Sequence, residues 1–147
     1  MQCLSGANTG GVMRFMMDGG LFVKIDNFKI KEFQCRCCKG IKMDDSHIMN
    51  LQVFRNFLSR KFNKEIRINV NSGYRCKKHN EAVGGKPSSQ HCEGYATDIC
   101  SPDIDAWGLY CASKECKVFS TAIYYPDDKF VHLDSRPKRL FKCWIKN

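Results

Sequence analysis

Three side chains, widely separated along the chain, have the types needed to share one metal ion. His91 and Asp98 stand seven residues apart, and His132 comes much later, inside Phe130-Val131-His132-Leu133-Asp134. Two imidazoles and one carboxylate suit Zn²⁺ and leave a fourth position open for water, which is how a catalytic zinc differs from a closed structural one. An ion held this way lowers the pKa of its water to about 7. Spacing alone leaves the reading open, because a His and an Asp at this separation are common. A histidine within a strand is more often a satisfied core or surface group.

Elements of defined geometry must position such a set. Asp44, Asp45 and Ser46 are N-cap candidates ahead of a run in which Ile48, Leu51, Phe54, Leu58 and Phe62 recur at three- and four-residue steps. This predicts a helix over about residues 46–62 with one face in the core, and His47 as a solvated residue in its first turn. Ile66, Ile68 and Val70 alternate with Arg67, Asn69 and Asn71, the pattern of a half-buried strand. A short helix over Cys76 to Val83 ends at Gly84-Gly85, and Lys86-Pro87-Ser88-Ser89 is a loop. Tyr95 to Cys100 reads as a strand that carries Asp98. Ser101-Pro102 reads as the start of a second helix, with Pro at its first position, running to about Ser113. Val118 to Tyr125 and Phe130 to Asp134 are strands joined by Pro126-Asp127-Asp128, and a last strand covers Leu140 to Ile145. The expected fold is α+β: a single domain with a mostly antiparallel sheet and flanking helices. Residues 1–24, punctuated by glycines and without a sustained period, are expected to form a loosely specified arm ahead of a domain over 25–147.

The exact residues say more than the spacing. Ser72-Gly73-Tyr74-Arg75, then His79-Asn80, then Val83-Gly84-Gly85, then Ser89-Gln90-His91 and Gly94-Tyr95-Ala96-Thr97-Asp98 occur in order. Tyr124-Tyr125-Pro126 and the block from Phe130 to Arg136 follow them. Together with the entry Asn27-Phe28-Lys29-Ile30-Lys31-Glu32-Phe33, these resemble the zinc D-Ala-D-Ala carboxypeptidase family of peptidoglycan metallopeptidases. The likeness is to its single-domain, phage-type branch with a Hedgehog-type zinc site, and it covers about residues 27–137. It implies hydrolysis of peptide bonds in peptidoglycan stem peptides, as a carboxypeptidase or an endopeptidase, by metal-activated water.

Position by position, the resemblance implies Zn²⁺ ligands at His91, Asp98 and His132, on the sheet. It implies that Arg75 steadies a substrate carboxylate or carbonyl, a task suited to a guanidinium fork. Ser89 becomes a hydrogen-bonding partner of the substrate; the plain alternatives are a surface ion pair for Arg75 and a loop cap for Ser89. The sequence departs from the family at the general base. Many relatives carry Glu or Asp three residues before the last histidine, where this chain has Lys129. Asp128 is the favoured base, Asp127 the next, and Asp134, two residues after His132 on the same strand face, is a base or a partner that orients a ligand.

Two compositional features remain. The chain has 147 residues, with 24 Lys and Arg against 15 Asp and Glu, for a net charge of +9. A basic surface favours anionic targets. No nucleic-acid motif accompanies it, although Arg136-Pro137-Lys138-Arg139 is basic, so an anionic cell wall is the expected target and no nucleic acid is expected. No apolar run is long enough to span a bilayer, and the first twenty residues lack the apolar block of a secretory signal. The expectation is a monomer, cytoplasmic in the producing cell and acting at the bacterial wall if released. The ten cysteines are unassigned. Cys35, Cys37 and Cys38 with Cys76 and His79 form either a second, structural zinc site or an ordinary set of small buried groups and opportunistic disulfides. Cys92, if in a strand, faces away from His91. The rival to an enzyme is a wall-binding module that keeps the ligands and has lost catalysis.

Overall fold

The computed structural model describes residues 13–16, 22–137 and 140–146. Most of the arm expected over residues 1–24 lies outside the described residues, as do Lys138 and Arg139 of the basic run. Within the arm, β1 (Met13–Met16) pairs antiparallel with β2 (Phe22–Ile25). A 3₁₀ turn over Ile30–Phe33 leads to α1 (Asp45–Lys61). There follow β3 (Asn69–Ser72), α2 (Lys77–Ala82), α3 (Gln90–Glu93) and β4 (Ala96–Cys100). The chain continues through α4 (Ala106–Cys116), β5 (Thr121–Tyr125), β6 (Phe130–Asp134) and β7 (Lys142–Ile145). The main sheet has five strands in the order β3-β4-β6-β5-β7. Its neighbours are antiparallel except β5 and β7, which run parallel. This is the α+β fold expected of the sequence.

α1 forms where its pattern puts it. The Asp44 carboxylate accepts from the His47 N–H at 3.1 Å and caps the first turn. Ile48, Leu51, Phe54 and Leu58 are buried, each worth roughly 1.5–3 kcal/mol. Phe62 is 42% exposed, because the helix ends at Lys61 and the ring falls past its last turn. The core also takes Ile66, Ile68, Ile99, Leu109, Phe119, Val131 and Leu133.

Three boundaries differ from expectation for identifiable reasons. The second long helix starts at Ala106 behind an Asp105 cap, not at Pro102. Arg67 holds Asp103 with two bonds of 3.0 and 2.8 Å, and Ser101 Oγ donates to the Arg67 carbonyl, so this stretch is pinned as a turn before the helix can begin. Ile66 and Ile68 are buried as their alternation demands, but ladder pairing begins only at Asn69. His91 sits on the short helix α3, which Gly94 ends at φ +82°. A Cβ there would strike the Lys42 carbonyl, so the position requires glycine.

The largest correction concerns His47, which is buried and not solvated. Its spacing already carried the signal: 47, 51, 54 and 58 share one helix face. Its Nδ1 lies 2.7 Å from Ser135 Oγ and its Nε2 lies 3.0 Å from Thr97 Oγ1, so both ring nitrogens have partners. Burial, the dominant effect, pushes its pKa down to about 3; the charges of His132 and His91 act the same way, and Asp134 opposes them. The unfolded state takes up this proton near pH 6.5 and the folded state resists it, so stability falls as pH drops below about 6.5. The chemical-denaturation midpoint should therefore decrease between pH 6.5 and 4.5, and His47→Gln should flatten that slope. An unchanged slope in the variant would refute the assignment.

Candidate metal centre

The sheet places the expected ligands by register. Asp98 pairs directly with His132 across β4 and β6, and Ser72 pairs with Asp98 across β3 and β4. Alternation then sorts the two faces: Asp98, His132 and Asp134 lie on one, and Thr97, Ile99, Val131 and Leu133 on the other. A register shift between Val70 and Ser72 brings Ser72 opposite Asp98, the kind of re-aiming a bulge provides.

His91 enters from α3. Ser89 Oγ accepts from the His91 N–H at 3.3 Å and caps that helix. The imidazole Nδ1 lies 2.7 Å from the Gly73 carbonyl, which can only accept, so Nδ1 carries the hydrogen and Nε2 is left as a lone-pair donor. This approach depends on Gly73, since a Cβ there would come within 2.6 Å of the Phe33 backbone. The same contact is closed by the Tyr74 N–H donating to the Phe33 carbonyl at 2.9 Å.

The three donor atoms form a nearly equilateral triangle. His91 Nε2 is 3.2 Å from Asp98 Oδ1 and 3.2 Å from His132 Nδ1, and His132 Nδ1 is 2.9 Å from Asp98 Oδ1. Ligands about 2.05 Å from a tetrahedral zinc are separated by about 3.3 Å, so the triangle needs only a small expansion to hold the ion. Two imidazoles and one carboxylate are also the right donor chemistry. The residues present therefore fit a zinc ion.

The surroundings fix the ligands' orientation and charge. The second oxygen of Asp98 accepts from Arg75, whose Nε also donates to Ser72 Oγ at 2.7 Å. Burial opposes ionisation of Asp98, but its polar contacts with His132 and His91 outweigh it and hold the carboxyl well below the usual range. His132 turns its other nitrogen to Asp134, 3.5 Å away. Burial would lower the His132 pKa, yet hydrogen bonds to Asp134 and Asp98 raise it to about 9.

The other expected site residues fall in three groups. Arg75 stands in the centre, as described. Ser89 is a helix cap next to His91. Asp127 and Asp128 lie on the exposed β5–β6 turn, and Lys129 adopts φ +54° there. Burial raises the Tyr125 pKa, with Asp98 and Asp128 both adding to the rise. The Tyr125–Phe130 pair closes the ladder two residues beyond the Ile123–His132 pair, and the turn follows directly from it, at the rim of the centre. Asp134 is fully buried, and Arg136 engages both of its oxygens at 2.9 and 2.6 Å, so it orients His132 and is not a base open to water. Cys92 lies on α3 and not on a strand. Sequence reasoning missed the Gly73 carbonyl, the Asp134–Arg136 pair, and Tyr125, which stacks on Phe130 at 4.4 Å beside the centre. The i, i+2 spacing of His132, Asp134 and Arg136 was the available signal for the pair.

No curated protein matches the chain. A family model described as Peptidase M15 matches residues 26–134, a span that contains every ligand, the Gly73 carbonyl and Arg75. Among the described residues no helix is long and apolar enough to cross a membrane. A buried triangle of two imidazoles and a carboxylate, from α3, β4 and β6, is consistent with a family of zinc-dependent peptidases, and the match extends over most of the sequence: the chain belongs to the M15 peptidases, the zinc D-Ala-D-Ala carboxypeptidase family, and is a metallopeptidase.

Proposed function

We propose that the protein hydrolyses peptide bonds in peptidoglycan stem peptides, as a carboxypeptidase or endopeptidase, at a zinc ion held by His91, Asp98 and His132. The observation that carries the reading is the donor triangle, with edges of 2.9–3.2 Å, beside a guanidinium aimed at the same carboxylate. A zinc ion bound there supplies Lewis acidity and water activation.

The chain's own residues supply the rest. Gly73 and Asp134 hold the two imidazoles in the orientation that binds metal. Arg75 spends two donors on Ser72 and Asp98, and its remaining N–H groups serve a substrate carboxylate or carbonyl at the edge of the centre. Ser89 accepts from His91 N and keeps its hydroxyl hydrogen to donate to substrate. Asp128, on the exposed turn at the rim, takes the proton from the attacking water and returns it to the leaving amine. Tyr125 and Phe130 form an aromatic wall beside this path. The net charge of +9 draws the protein to an anionic wall.

Mass spectrometry of purified peptidoglycan after digestion tests the reading and identifies the bond. New amines and shortened stems that vanish on chelation are expected. Wall binding without any release would favour the non-catalytic module instead. His91→Ala and His132→Ala should each lose both the bound metal and the cleavage, and full zinc retention in either would remove that residue from the ligand set. Asp128→Asn should keep the metal while kcat falls about 10²–10⁴-fold; a rate near wild type would transfer the base role elsewhere. Raising the salt concentration should slow cleavage of intact walls much more than cleavage of a short soluble stem peptide, because screening acts on the long-range attraction. Equal slowing of both would disconnect the charge from wall targeting.

A further inference from the structure

Four of the cysteines gather at a second place, on the far side of the Phe33–Gly73 contact from the donor triangle. Cys35 to Gly40 forms a tight turn: the Cys35 N–H donates to the Gly40 carbonyl at 2.8 Å, and the Lys39 N–H to the Cys35 carbonyl at 2.9 Å. Lys39 takes φ +59° to close it. The turn delivers Cys35 and Cys38 to Cys76, the residue that caps α2. The sulfurs of Cys35, Cys38 and Cys76 all lie within 4.8 Å of one another. Cys37 Sγ is 3.6 Å from Cys76 Sγ.

These distances discriminate between possible roles. A disulfide requires sulfurs about 2.05 Å apart, and every cysteine among the described residues is free. Thiolates at about 2.3 Å from a tetrahedral zinc are separated by about 3.8 Å, close to the Cys37–Cys76 distance. Burial as small apolar groups does not account for the cluster either, since Cys37 and Cys38 are exposed. Backbone N–H groups point at the sulfurs, as they do around metal thiolates. Cys76 N–H donates to Cys35 Sγ, and His79 N–H donates to Cys76 Sγ, both at 3.4 Å. In the Cys76/His79 pair of the sequence, it is the His79 backbone that meets the sulfur.

We propose that Cys35, Cys38 and Cys76, whose sulfurs form the mutually close set, hold a structural zinc ion separate from the His91–Asp98–His132 centre, and that the exposed Cys37, beside Cys76 but outside that set, turns in as the fourth ligand. All four positions of a tetrahedral ion are then filled by protein, which leaves no place for water and gives the site a bracing role. What it braces is specific. Cys35 lies two residues after Phe33, and Cys76 lies three residues after Gly73, so the ion ties together the two segments whose backbones meet at 2.9 Å between Tyr74 N and Phe33 O. Gly73 aims His91, and Arg75 immediately precedes Cys76. The four-sulfur site thus holds the strand end on which one ligand of the first centre and its neighbouring guanidinium depend.

The test uses the full chain purified under reducing conditions. Elemental analysis should give two zinc ions per chain, falling to one in His91→Ala and to one in Cys38→Ser. Cobalt substitution of the wild type should give a sulfur-to-cobalt charge-transfer band in the near ultraviolet, which two imidazoles and a carboxylate cannot produce. The band should survive in His91→Ala and weaken in Cys76→Ser. The wild-type spectrum needs no variant, so a poorly folding cysteine mutant leaves the test intact, and neither readout depends on peptidase activity. A single zinc that His91→Ala removes, a cobalt form without the band, or an intact mass lacking two hydrogens from a Cys37–Cys76 disulfide would overturn the proposal.

Discussion

Asp98 must stay ionised with almost all of its surface removed from water. A buried carboxylate without partners costs several kcal/mol, enough to keep it protonated and useless to a cation. The fold answers with three polar partners from three directions: His132 across the ladder, His91 from α3, and Arg75 from the end of β3. Each is set by a different structural device. Strand register places His132, a carbonyl acceptor orients His91, and a shift in the β3–β4 ladder puts Ser72 where it can steady Arg75. Removing positive charge from this group would leave an uncompensated anion.

That dependence runs outward into the loops. His91 is aimed by one carbonyl, and the carbonyl is held because Gly73 allows the chain to pass against Phe33. The cysteine cluster sits at this crossing. A chain of about 150 residues can bury a substantial core, and Phe28 and Phe33 of the entry segment belong to it, while Cys37 and Cys38 just beyond them stay exposed. An ion bound there, as proposed, would give the loop-borne His91 the rigidity that strand-borne His132 and Asp98 receive from the ladder itself.

How much could be read from the sequence follows the same division. His91, Asp98, His132 and Arg75 were legible because their motif is written in local, ordered segments. The apolar stripe of α1 was legible because four large side chains repeat on one face. What was hidden depended on partners distant in sequence. Pro102 could have started a helix, and only the Arg67–Asp103 pair, 36 residues apart, prevents it. Ser89 and Asp134 had residue types compatible with several roles, and only their neighbours select among them: the His91 N–H for one, the Arg136 fork for the other. His47 was misread because its type suggested water although its spacing suggested the core. The two hydroxyls that satisfy it come from β4 and from just beyond β6.

Those hydroxyls show how the two faces of the sheet constrain each other. Thr97 and Ser135, which hold His47 on the helix side, are immediate neighbours of Asp98 and Asp134 on the other. Strand side chains alternate with a period of two, so a slip of one residue in β4 would carry Asp98 toward the core and Thr97 toward the metal. Such a slip would turn a carboxylate toward the core side and take from His47 Nε2 its Thr97 partner. A polar group enclosed in the core on one side thus penalises every register but the one that assembles the ligands on the other. The neutral, fully partnered state of His47 and the charged, fully partnered state of Asp98 are satisfied by the same alignment of β4 against β6, and that shared requirement makes the alignment unique.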